Sequence, residues 1–510
     1  MYSTLPHAGA IRLRDVFPSA QFFAGRDVKF TSCCSDAKAC RPGDLFVAME
    51  MPDQDGHAQA FQAVARGAIG VLAERVLPVG VPVCVVDDTR EAYGRVCHEL
   101  LGHPGRNMTL MGVTGTSGKT TTAFLLKSIL HASQQMTGIT STLGYDDGFE
   151  SASMTQTTPQ PPQMAKWLAR MSANGCSHAV IEATSQGLAQ RRLAALELDA
   201  AVITNINRDH LDYHNTVQAY RKAKARLLQH LKPEGFAIVN ADDPASLELL
   251  SKIDHPTLTY GVRAPAEITA TIVERYRSEQ TFLLCAGSDT IPVRTRMIGN
   301  HHVSNCLAAA SAGLVLGIDL PTIVRGLEQV EAIPGRLERI ECGQPFGVFV
   351  DESHTPDALK ASLRALRQVT EGRLICVYGA DAERDPAMRP LVGHVVERGA
   401  DVSVITSDNP RSDEPLQIAH DILDGYDKAS RAQIMPDRFK AIQWALEQAG
   451  TGDTVVIAGK GDRQVQVIDG TKYHFDDCEV ARNWLYEVGA NVDYSPAAQP
   501  THLKIFDPIA

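Results

Sequence analysis

The residues with the clearest chemical potential lie in one glycine-rich stretch, Met111 to Thr122, which reads MGVTGTSGKTTT. Apolar residues precede it and recur at helical spacing after it, which predicts a strand, a loop and a helix in that order. Glycines let such a loop turn its amide N–H groups towards a polyphosphate, and the helix start adds partial positive charge. Lys119 could reach the β- and γ-phosphates, and the Thr120 hydroxyl could bind Mg²⁺. The stretch predicts an ATP-binding loop, although Val113 replaces the first glycine of the strict Walker pattern.

Other polar side chains follow predicted strands of the central part of the chain. Glu182 ends one strand, and His210 lies in the polar run that follows the next one. Ligands of parallel sheets bind at the carboxyl ends of strands, so both are candidate Mg²⁺ ligands beside Thr120. A solvated strand end is the alternative for Glu182, and a capping or packed histidine is the alternative for His210. Lys224 has the local pattern of an ordinary exposed helical lysine.

The elements that must position these residues alternate between strand and helix, which predicts mainly parallel sheets covered on both faces. The fold class is α/β with three domains: a small N-terminal α/β domain, a central P-loop ATPase-like domain with a parallel sheet, and a C-terminal Rossmann-like domain. We place the domains at residues 1–108, 109–333 and 334–510. The predicted strands after the first domain are His178–Ala183, Ala200–Asn205, Phe236–Asn240, Val348–Asp351, Leu374–Tyr378, Val402–Thr406 and Val455–Ala458, and the predicted helices are Val217–Leu231, Asp357–Leu366, Leu391–Arg398 and Lys440–Gln448.

Composition narrows the class of protein. The chain has 510 residues, 44% of them hydrophobic, which suits about three ordinary domains. Its net charge of −11 argues against nucleic-acid and anionic-membrane partners. Eleven cysteines without a CxxC pair fit a reducing compartment, and neither a signal peptide nor a membrane helix is visible. We expect a cytoplasmic monomer.

Taken in order, the motifs resemble those of the Mur ligase family, with the strongest likeness to the MurE type. The stretch Asn205–His214 is similar to the family pattern N-x-x-R-D-H-L-D-Y-H, and Lys224 falls where the family carries a carbamylated lysine. Asp408–Arg411 matches the motif of members that use meso-diaminopimelate. The resemblance implies an ATP-dependent ligase that adds an amino acid, with meso-diaminopimelate as the leading choice, to UDP-MurNAc-L-Ala-D-Glu through an acyl phosphate in peptidoglycan precursor synthesis. ATP and Mg²⁺ are the implied cofactors, and the UDP-MurNAc-dipeptide and the amino acid are the implied substrates.

The resemblance also implies roles for individual residues. The catalytic residues would be Lys119, Lys224, His210 and Asp209. The Mg²⁺ ligands would be Thr120, Glu182 and His210. ATP would be bound by Gly115, Thr116, Ser117, Gly118, Lys119, Thr120, Thr121, Asn305, Arg336 and Asp351. The other substrates would be bound by Asp36, Thr157, Thr158, Ser185, Arg192, Asp408, Asn409, Arg411, Gly459 and Arg463.

Loops of the third domain depart from the family pattern. The glycine-rich G-x-G-G-D-R-D becomes GADAERD at residues 379–385, and G-K-G-H-E becomes GKGDR at residues 459–463. Arg463 thus replaces the glutamate that would hold the distal ammonium of diaminopimelate. Glu352 and Ser353 replace Tyr-Ala before His354. A reversed charge at a ligand-binding position costs binding energy, so the loops raise the question of which amine is used.

Two further hypotheses therefore stay open beside the leading one. The chain could be a ligase of the same fold with another amine or acceptor, because Arg463 suits an amine without a second ammonium. It could also be a non-catalytic nucleotide-binding homologue, although the intact Lys119, Glu182, His210 and Lys224 count against that. A P-loop motor or kinase lacks any sign of its other parts.

Overall fold

The chain is organised around three larger β-sheets, each of which belongs to a unit of strands and helices. The computed structural model describes residues 9–25, 27–51 and 54–491. In these ranges, no helix combines the length and apolar character needed to cross a membrane. The sheets follow one another along the chain with five, eleven and six strands. The three-domain α/β fold predicted from the alternation of elements is confirmed, whereas the exact boundaries at 108/109 and 333/334 stay predictions.

The first sheet is small and mostly parallel. Its strands, in spatial order, are Gln21–Phe23, Val83–Val85, Gly70–Ala73, Leu45–Val47 and Cys33–Cys34. Only the pair at the Gln21–Phe23 edge is antiparallel. The helices of this part are Leu13–Val16, Ala60–Ala65 and Thr89–Glu99, and two short strand pairs join Ile11–Arg12 to Lys29–Phe30 and Glu50–Met51 to Gln54–Asp55.

The central sheet has a parallel middle with an antiparallel extension at each end. Its spatial order is Ser151–Ala152, Gly144–Asp146, Thr137–Ser141, His178–Glu182, Thr109–Thr114, Leu198–Ile203, Leu231–Asn240, Thr257–Gly261, Ile268–Arg275, Gln280–Ala286 and Asp289–Thr295. The phosphate-loop strand Thr109–Thr114 lies between two parallel neighbours. The carboxyl ends of three adjacent strands therefore meet at one edge, as the sequence predicts.

Helices cover both faces of the central sheet. Side chains of Thr109–Thr114 alternate between the two cores: Met111 and Val113 enter one, and Leu110 enters the other. This period of two lets one strand serve two hydrophobic layers. The helices of this part are Lys119–Ala132, Pro161–Ala173, Ser185–Ala189, Leu211–His214, Val217–Ala225, Pro244–Leu247, Asn300–Val315 and Leu320–Glu328.

The third sheet is again parallel except at one edge. Its order is Glu338–Arg339, Gly347–Asp351, Thr454–Ala458, Leu374–Tyr378, Val402–Ile405 and Ala432–Ile434. Its helices are Pro356–Arg367, Met388–Gly399, Pro415–Leu423, Arg438–Gln448 and Asp477–Asn491, and a hairpin joins Val465–Ile468 to Thr471–His474. Short 3₁₀ helices occupy Gly56–Gln59, Pro104–Asn107, Arg226–His230, Leu250–Lys252 and Ala429–Arg431.

One expectation for the central part is wrong in detail. The helix predicted over Val217–Leu231 ends at Ala225, and a 3₁₀ segment leads to a strand that already begins at Leu231. Pro233, two residues on, disfavours a continuing helix, and Leu231 pairs instead with Leu198. The antiparallel extension formed by residues 268–295 has no counterpart among the predicted strands. The tail beyond Asn491 lies outside the described residues.

Candidate active site

The phosphate loop has the backbone that its glycines allow. Gly115 and Gly118 have φ angles of 159° and 83°. A Cβ atom on Gly118 would lie 2.3 Å from Oδ1 of Asn305, and one on Gly115 would lie 1.7 Å from the Thr204 hydroxyl. Position 118 therefore requires glycine for two reasons: the backbone is left-handed, and Asn305 leaves no room for a Cβ atom.

Asn205 fixes the shape of the loop from the next strand end. Its backbone carbonyl accepts from the Thr116 N–H at 2.8 Å, and its side-chain oxygen accepts from the Ser117 N–H at 2.9 Å. The ammonium of Lys119 lies 3.1 Å from the carbonyl oxygens of Gly115 and Thr116. The Lys119 side chain thus folds back over the loop, where its ammonium could contact a bound polyphosphate.

Glu182 is a buried carboxylate, not a solvated strand end. It is 1% exposed, and both of its oxygens lie 3.1 Å from the Thr120 hydroxyl. Thr142 supplies its N–H at 2.9 Å and its hydroxyl at 3.1 Å to the same carboxylate. Thr142 is not among the residues predicted from the sequence, although it directly follows the strand Thr137–Ser141, just as Glu182 ends its own strand.

The residues present suit a hard divalent cation. Among the described residues, the direct hydrogen-bond donors to Glu182 are hydroxyl and amide groups, and no cationic side chain forms an ion pair with it. Carboxylate and hydroxyl oxygens are ligands that Mg²⁺ prefers. His210 lines the same cleft as Thr120 and Glu182. Burial lowers the pKa of His210, which keeps the imidazole neutral and able to bind a metal.

Lys224 is buried, in contrast to an ordinary helical lysine. Only 1% of the residue is exposed, and its Nζ lies 2.5 Å from the carbonyl oxygen of Gly115 in the phosphate loop. The Tyr220 ring centroid lies 4.7 Å from the same Nζ. Burial and the neighbouring Lys119 hold the pKa of Lys224 well below its usual range. Burial thus favours the neutral form of this amine, which lies directly behind the phosphate loop.

Asp209, His210 and His354 meet between the central and third sheets. His210 has a left-handed backbone with φ of 50°, and its Nε2 lies 3.5 Å from the Asp209 carboxylate. Burial favours protonation of Asp209, but its interactions with the His210 and His354 imidazoles and with the Arg384 guanidinium outweigh burial and lower the pKa of that carboxyl. Burial and Arg384 hold the pKa of His354 well below its usual value. Asp209 is thus an ionised proton acceptor.

Two clefts adjoin at these groups. One, of about 1000 Å³, is lined by the phosphate loop, Glu182 and Asn305. The other, of about 1190 Å³, is lined by Asn409, Arg411 and Arg463 of the third sheet unit. Both include residues Asp209, His210, His354 and Arg384 in their walls. The arrangement places a nucleotide-type loop and an arginine-rich wall on either side of one buried acid–base cluster.

Three residues predicted for ATP lie in the first cleft. Asn305 packs against Gly118 from the helix Asn300–Val315. Arg336 spans two units of the chain, because it donates to the Thr120 hydroxyl at 3.3 Å and pairs with Glu352 at 2.5 Å. Asp351 is buried and accepts from the Leu337 N–H at 2.7 Å. Thr157 and Ser185 line this cleft as well.

The altered third-domain loops form one charge network. Arg411 donates through Nε to Asp381 at 3.0 Å and pairs with Glu383 at 2.6 Å. Arg463 lies 3.7 Å from the carboxylates of Asp381 and Glu352. Each charged departure in these loops thus has an opposite charge beside it. The added positive charge of Arg463 is balanced within the protein itself.

Several predicted substrate residues lie behind the cleft walls. Thr158 is fully buried and donates to the carbonyl oxygen of Glu182, and Arg192 donates to the carbonyl oxygen of Thr158 at 2.8 Å. Asp408 is 1% exposed and lies 3.9 Å from Lys460. Thr158, Arg192 and Asp408 thus contact other protein groups, which helps to hold the cleft walls in place. Gly459 lies next to Asp408, and Asp36 lies in the first sheet unit, outside both clefts.

Comparison with known proteins places this arrangement in a family. The pattern of the Mur ligase middle domain matches residues 113–313, and that of the Mur ligase glutamate ligase domain matches residues 335–461. UDP-N-acetylmuramoyl-L-alanyl-D-glutamate--2,6-diaminopimelate ligase of Syntrophomonas wolfei is 37% identical over 465 residues, which cover 90% of this chain and 95% of the relative. The chain belongs to the Mur ligase family. UDP-N-acetylmuramyl-tripeptide synthetase of a Roseiflexus species is 38% identical over 89% of this Mur ligase and 94% of its own length.

Solved structures agree with this Mur ligase assignment. A UDP-N-acetylmuramoyl-L-alanyl-D-glutamate--2,6-diaminopimelate ligase superposes with a TM-score of 0.67 at 30% identity, covering 94% of this chain and 99% of the other. MurF ligase of Thermotoga maritima in complex with ADP has a TM-score of 0.62 at 20% identity, covering 90% and 98%, and shares the fold. The family predicted from the motifs is confirmed.

Proposed function

We propose that this Mur ligase joins an amino acid to UDP-MurNAc-L-Ala-D-Glu with consumption of ATP, releasing ADP and phosphate, in peptidoglycan precursor synthesis. Meso-diaminopimelate is the leading amine, because relatives with 37–38% identity bear that substrate in their names and Asp408–Arg411 keeps the corresponding motif. The observation that carries the proposal is the phosphate loop with Lys119, Glu182 and buried Lys224 beside it.

The reaction begins with activation of a carboxylate, which is a poor electrophile towards an amine. The γ-phosphoryl group of ATP passes to the terminal carboxylate of the dipeptide, giving an acyl phosphate and ADP. Lys119 and the amide groups of the loop are placed to offset the negative charge of the transferred group. Mg²⁺, held by Thr120, Glu182 and His210, would neutralise further phosphate charge.

The amine then attacks the acyl carbon, the amide bond forms, and phosphate leaves. A proton must leave the attacking amine, and Asp209 is the ionised carboxylate at the junction of the two clefts. His210, 3.5 Å away, is a second acceptor only when its single ring-nitrogen lone pair is not bound to Mg²⁺. The position of both groups between the nucleotide cleft and the arginine-rich cleft suits this step.

Lys224 supports the first cleft as a carbamate in this proposal. Carbamylation adds CO₂ to a neutral amine with release of one proton, so that the side chain ends in an oxygen anion instead of an amine. Burial keeps Lys224 neutral, which is the form that reacts. The product would bring a second anion next to Glu182 and strengthen the hold on Mg²⁺.

The arginine-rich cleft is where the amine would bind. Arg411 exposes about a third of its side chain, 32%, and its guanidinium suits a bidentate grip on a distal carboxylate. A second candidate, a ligase for an amine without a distal ammonium, is favoured by Arg463, whose 35% exposed side chain lines the same cleft. The two candidates differ in one functional group of the amine.

The experiment is phosphate release by the purified protein with ATP, Mg²⁺ and UDP-MurNAc-L-Ala-D-Glu, with mass spectrometry of the products. The amines compared are meso-diaminopimelate, 2-aminopimelate, which lacks the distal ammonium, and lysine, which lacks the distal carboxylate. Release with meso-diaminopimelate supports the leading proposal, and a preference for 2-aminopimelate supports the second candidate. Lys119→Ala is the inactive control. No release with any amine, despite ATP binding, contradicts both.

A further inference from the structure

Three metal-ligating groups converge in the first sheet unit, far along the chain from the phosphate loop. Cys34 ends the edge strand Cys33–Cys34, and Cys40 and Asp44 lie in the irregular connection to the neighbouring strand. The two sulfur atoms and a carboxylate oxygen all lie within 4.8 Å of one another. Tetrahedral metal–sulfur and metal–oxygen bonds of roughly 2.0–2.3 Å place ligand atoms under about 4 Å apart. The three atoms therefore need to approach one another by at most about 1 Å to share one ion.

The surroundings of the cluster leave ligand capacity unused. Asp44 accepts one hydrogen bond on each carboxylate oxygen, from the Ser32 hydroxyl and from the Arg41 N–H at 2.8 Å. Each oxygen can accept a further partner. The Cys40 sulfur lies 3.9 Å from the carbonyl oxygen of Arg41 and interacts with the thiol of Cys34. Cys40 and Asp44 are buried, whereas Cys34 is half-buried and leaves the cluster open on one side.

We propose that Cys34, Cys40 and Asp44 bind one thiophilic divalent metal ion, of which Zn²⁺ is the type. Two thiolates and one carboxylate are a donor set for zinc. Mg²⁺ prefers oxygen ligands, so the two sulfur atoms select Zn²⁺ over Mg²⁺. Binding replaces the two thiol protons, which pass to the solvent. A water molecule completes the four-coordinate shell on the side where Cys34 is accessible.

The ion would hold the connection between two parallel strands. Residues 35–44 contain no helix or strand and must cross from the end of one strand to the start of the next. Three ligands spread over that connection close it into a small ring, which limits its freedom. Asp36 lies within the ring, so the metal would order the loop on which a nucleotide-sugar contact is predicted. The metal site itself does not depend on that prediction.

The test is metal binding by the full-length reduced protein. We expect one Zn²⁺ per chain in addition to any Mg²⁺, and we expect Co²⁺ to give the intense near-ultraviolet absorption of cobalt–thiolate bonds. Cys34→Ser and Cys40→Ser should each weaken Co²⁺ binding at least tenfold. Cys33→Ser is the matched control, because Cys33 is adjacent, similarly half-buried and paired with Cys97 at 3.9 Å, outside the cluster.

Three outcomes would overturn the proposal. The first is the absence of thiolate-to-cobalt absorption in the wild-type protein. The second is equal Co²⁺ affinity in Cys34→Ser, Cys40→Ser and the control Cys33→Ser. The third is a Cys34–Cys40 disulfide found by peptide mapping together with no metal bound after its reduction. Circular dichroism of each variant checks that the fold is retained, and Asp44→Asn provides a variant that leaves both thiols in place.

Discussion

A guanidinium nitrogen of Arg463 lies 3.7 Å from a carboxylate oxygen of Asp381, across two loops that both depart from the family pattern. The first departure adds a positive charge and the second adds a negative one. Asp381 is 5% exposed and also accepts from Arg411, so it forms the buried centre of the network. The two departures compensate each other electrostatically and are best understood as one change.

This pairing predicts coupling between residues 381 and 463. Arg463→Glu alone would put a third carboxylate beside Asp381 and Glu352, and we expect a lower melting temperature and a higher KM for the amine. Adding Asp381→Gly should recover part of both losses, with a coupling energy of about 1 kcal/mol. Thermal unfolding and amine titrations measure it. Arg221→Glu, at an exposed ion pair, is the control. Strictly additive losses would show that the two residues act independently.

A second prediction concerns Gly118 in the phosphate loop. Gly118→Ala would strain a backbone with φ of 83° and would place a Cβ atom 2.3 Å from Asn305. Gly175 has φ of 84° with no heavy atom within 4 Å of an added Cβ, so Gly175→Ala carries the strain without the clash. Both variants should lose about 1 kcal/mol of stability through backbone strain, and Gly118→Ala should lose more because of the clash. Only Gly118→Ala should weaken ATP binding, at least tenfold by calorimetry; equal ATP affinities would contradict this role of the loop.

A third prediction concerns the buried amine. Because the pKa of Lys224 is well below its usual value, its neutral form is available at neutral pH. With ¹³C-labelled CO₂, we expect a carbamate signal in the NMR spectrum near pH 7, whereas an ordinary lysine with a pKa of about 10.4 needs more alkaline solution. Lys224→Met should remove the signal and slow phosphate release at least about 100-fold. The exposed neighbour Lys222 serves as control in Lys222→Met. A signal that persists in Lys224→Met would refute the assignment.

A fourth prediction follows from Asp351. Burial raises the pKa of this carboxyl from 3.8 to about 6. The folded state therefore holds a proton that the unfolded state has lost between these values, so the contribution of Asp351 to stability falls as pH rises through about 6. Relative to wild type, Asp351→Asn should become more stable by about 1 kcal/mol between pH 5 and 7.5. Thermal unfolding at the two pH values measures this difference, and a pH-independent difference would contradict it.

The fold and the local motifs could be predicted from the sequence because their signals are local. The strand, glycine loop and helix around Lys119 follow from adjacent residues, and Leu374–Tyr378 has the predicted bounds. The polar strand ends at Glu182 and Asn205 also needed only the rule that parallel strands end at one edge.

The remaining features depend on contacts between distant residues. The local pattern of Lys224 is that of an exposed lysine, and its burial is decided by Gly115, 109 residues earlier in the chain. From the sequence alone, the positive charge of Arg463 is expected to repel the distal ammonium of the amine substrate. In the fold, Asp381 and Glu352 balance that charge. Neither partner can be identified from spacing along the chain.

Arg336 gives the central site a mechanical property. One hydroxyl, that of Thr120, accepts a hydrogen bond from this guanidinium, while Glu352 and Asp462 hold the same guanidinium from the third sheet unit. A cation-bound nucleotide that took over the hydroxyl would release this link, so nucleotide affinity and the angle between the two units form one thermodynamic cycle. By reciprocity, if the nucleotide shifts the equilibrium between two arrangements of the units by some factor, its affinity differs between those arrangements by the same factor. Arg336 would thus couple nucleotide binding at the phosphate loop to the position of the third sheet unit.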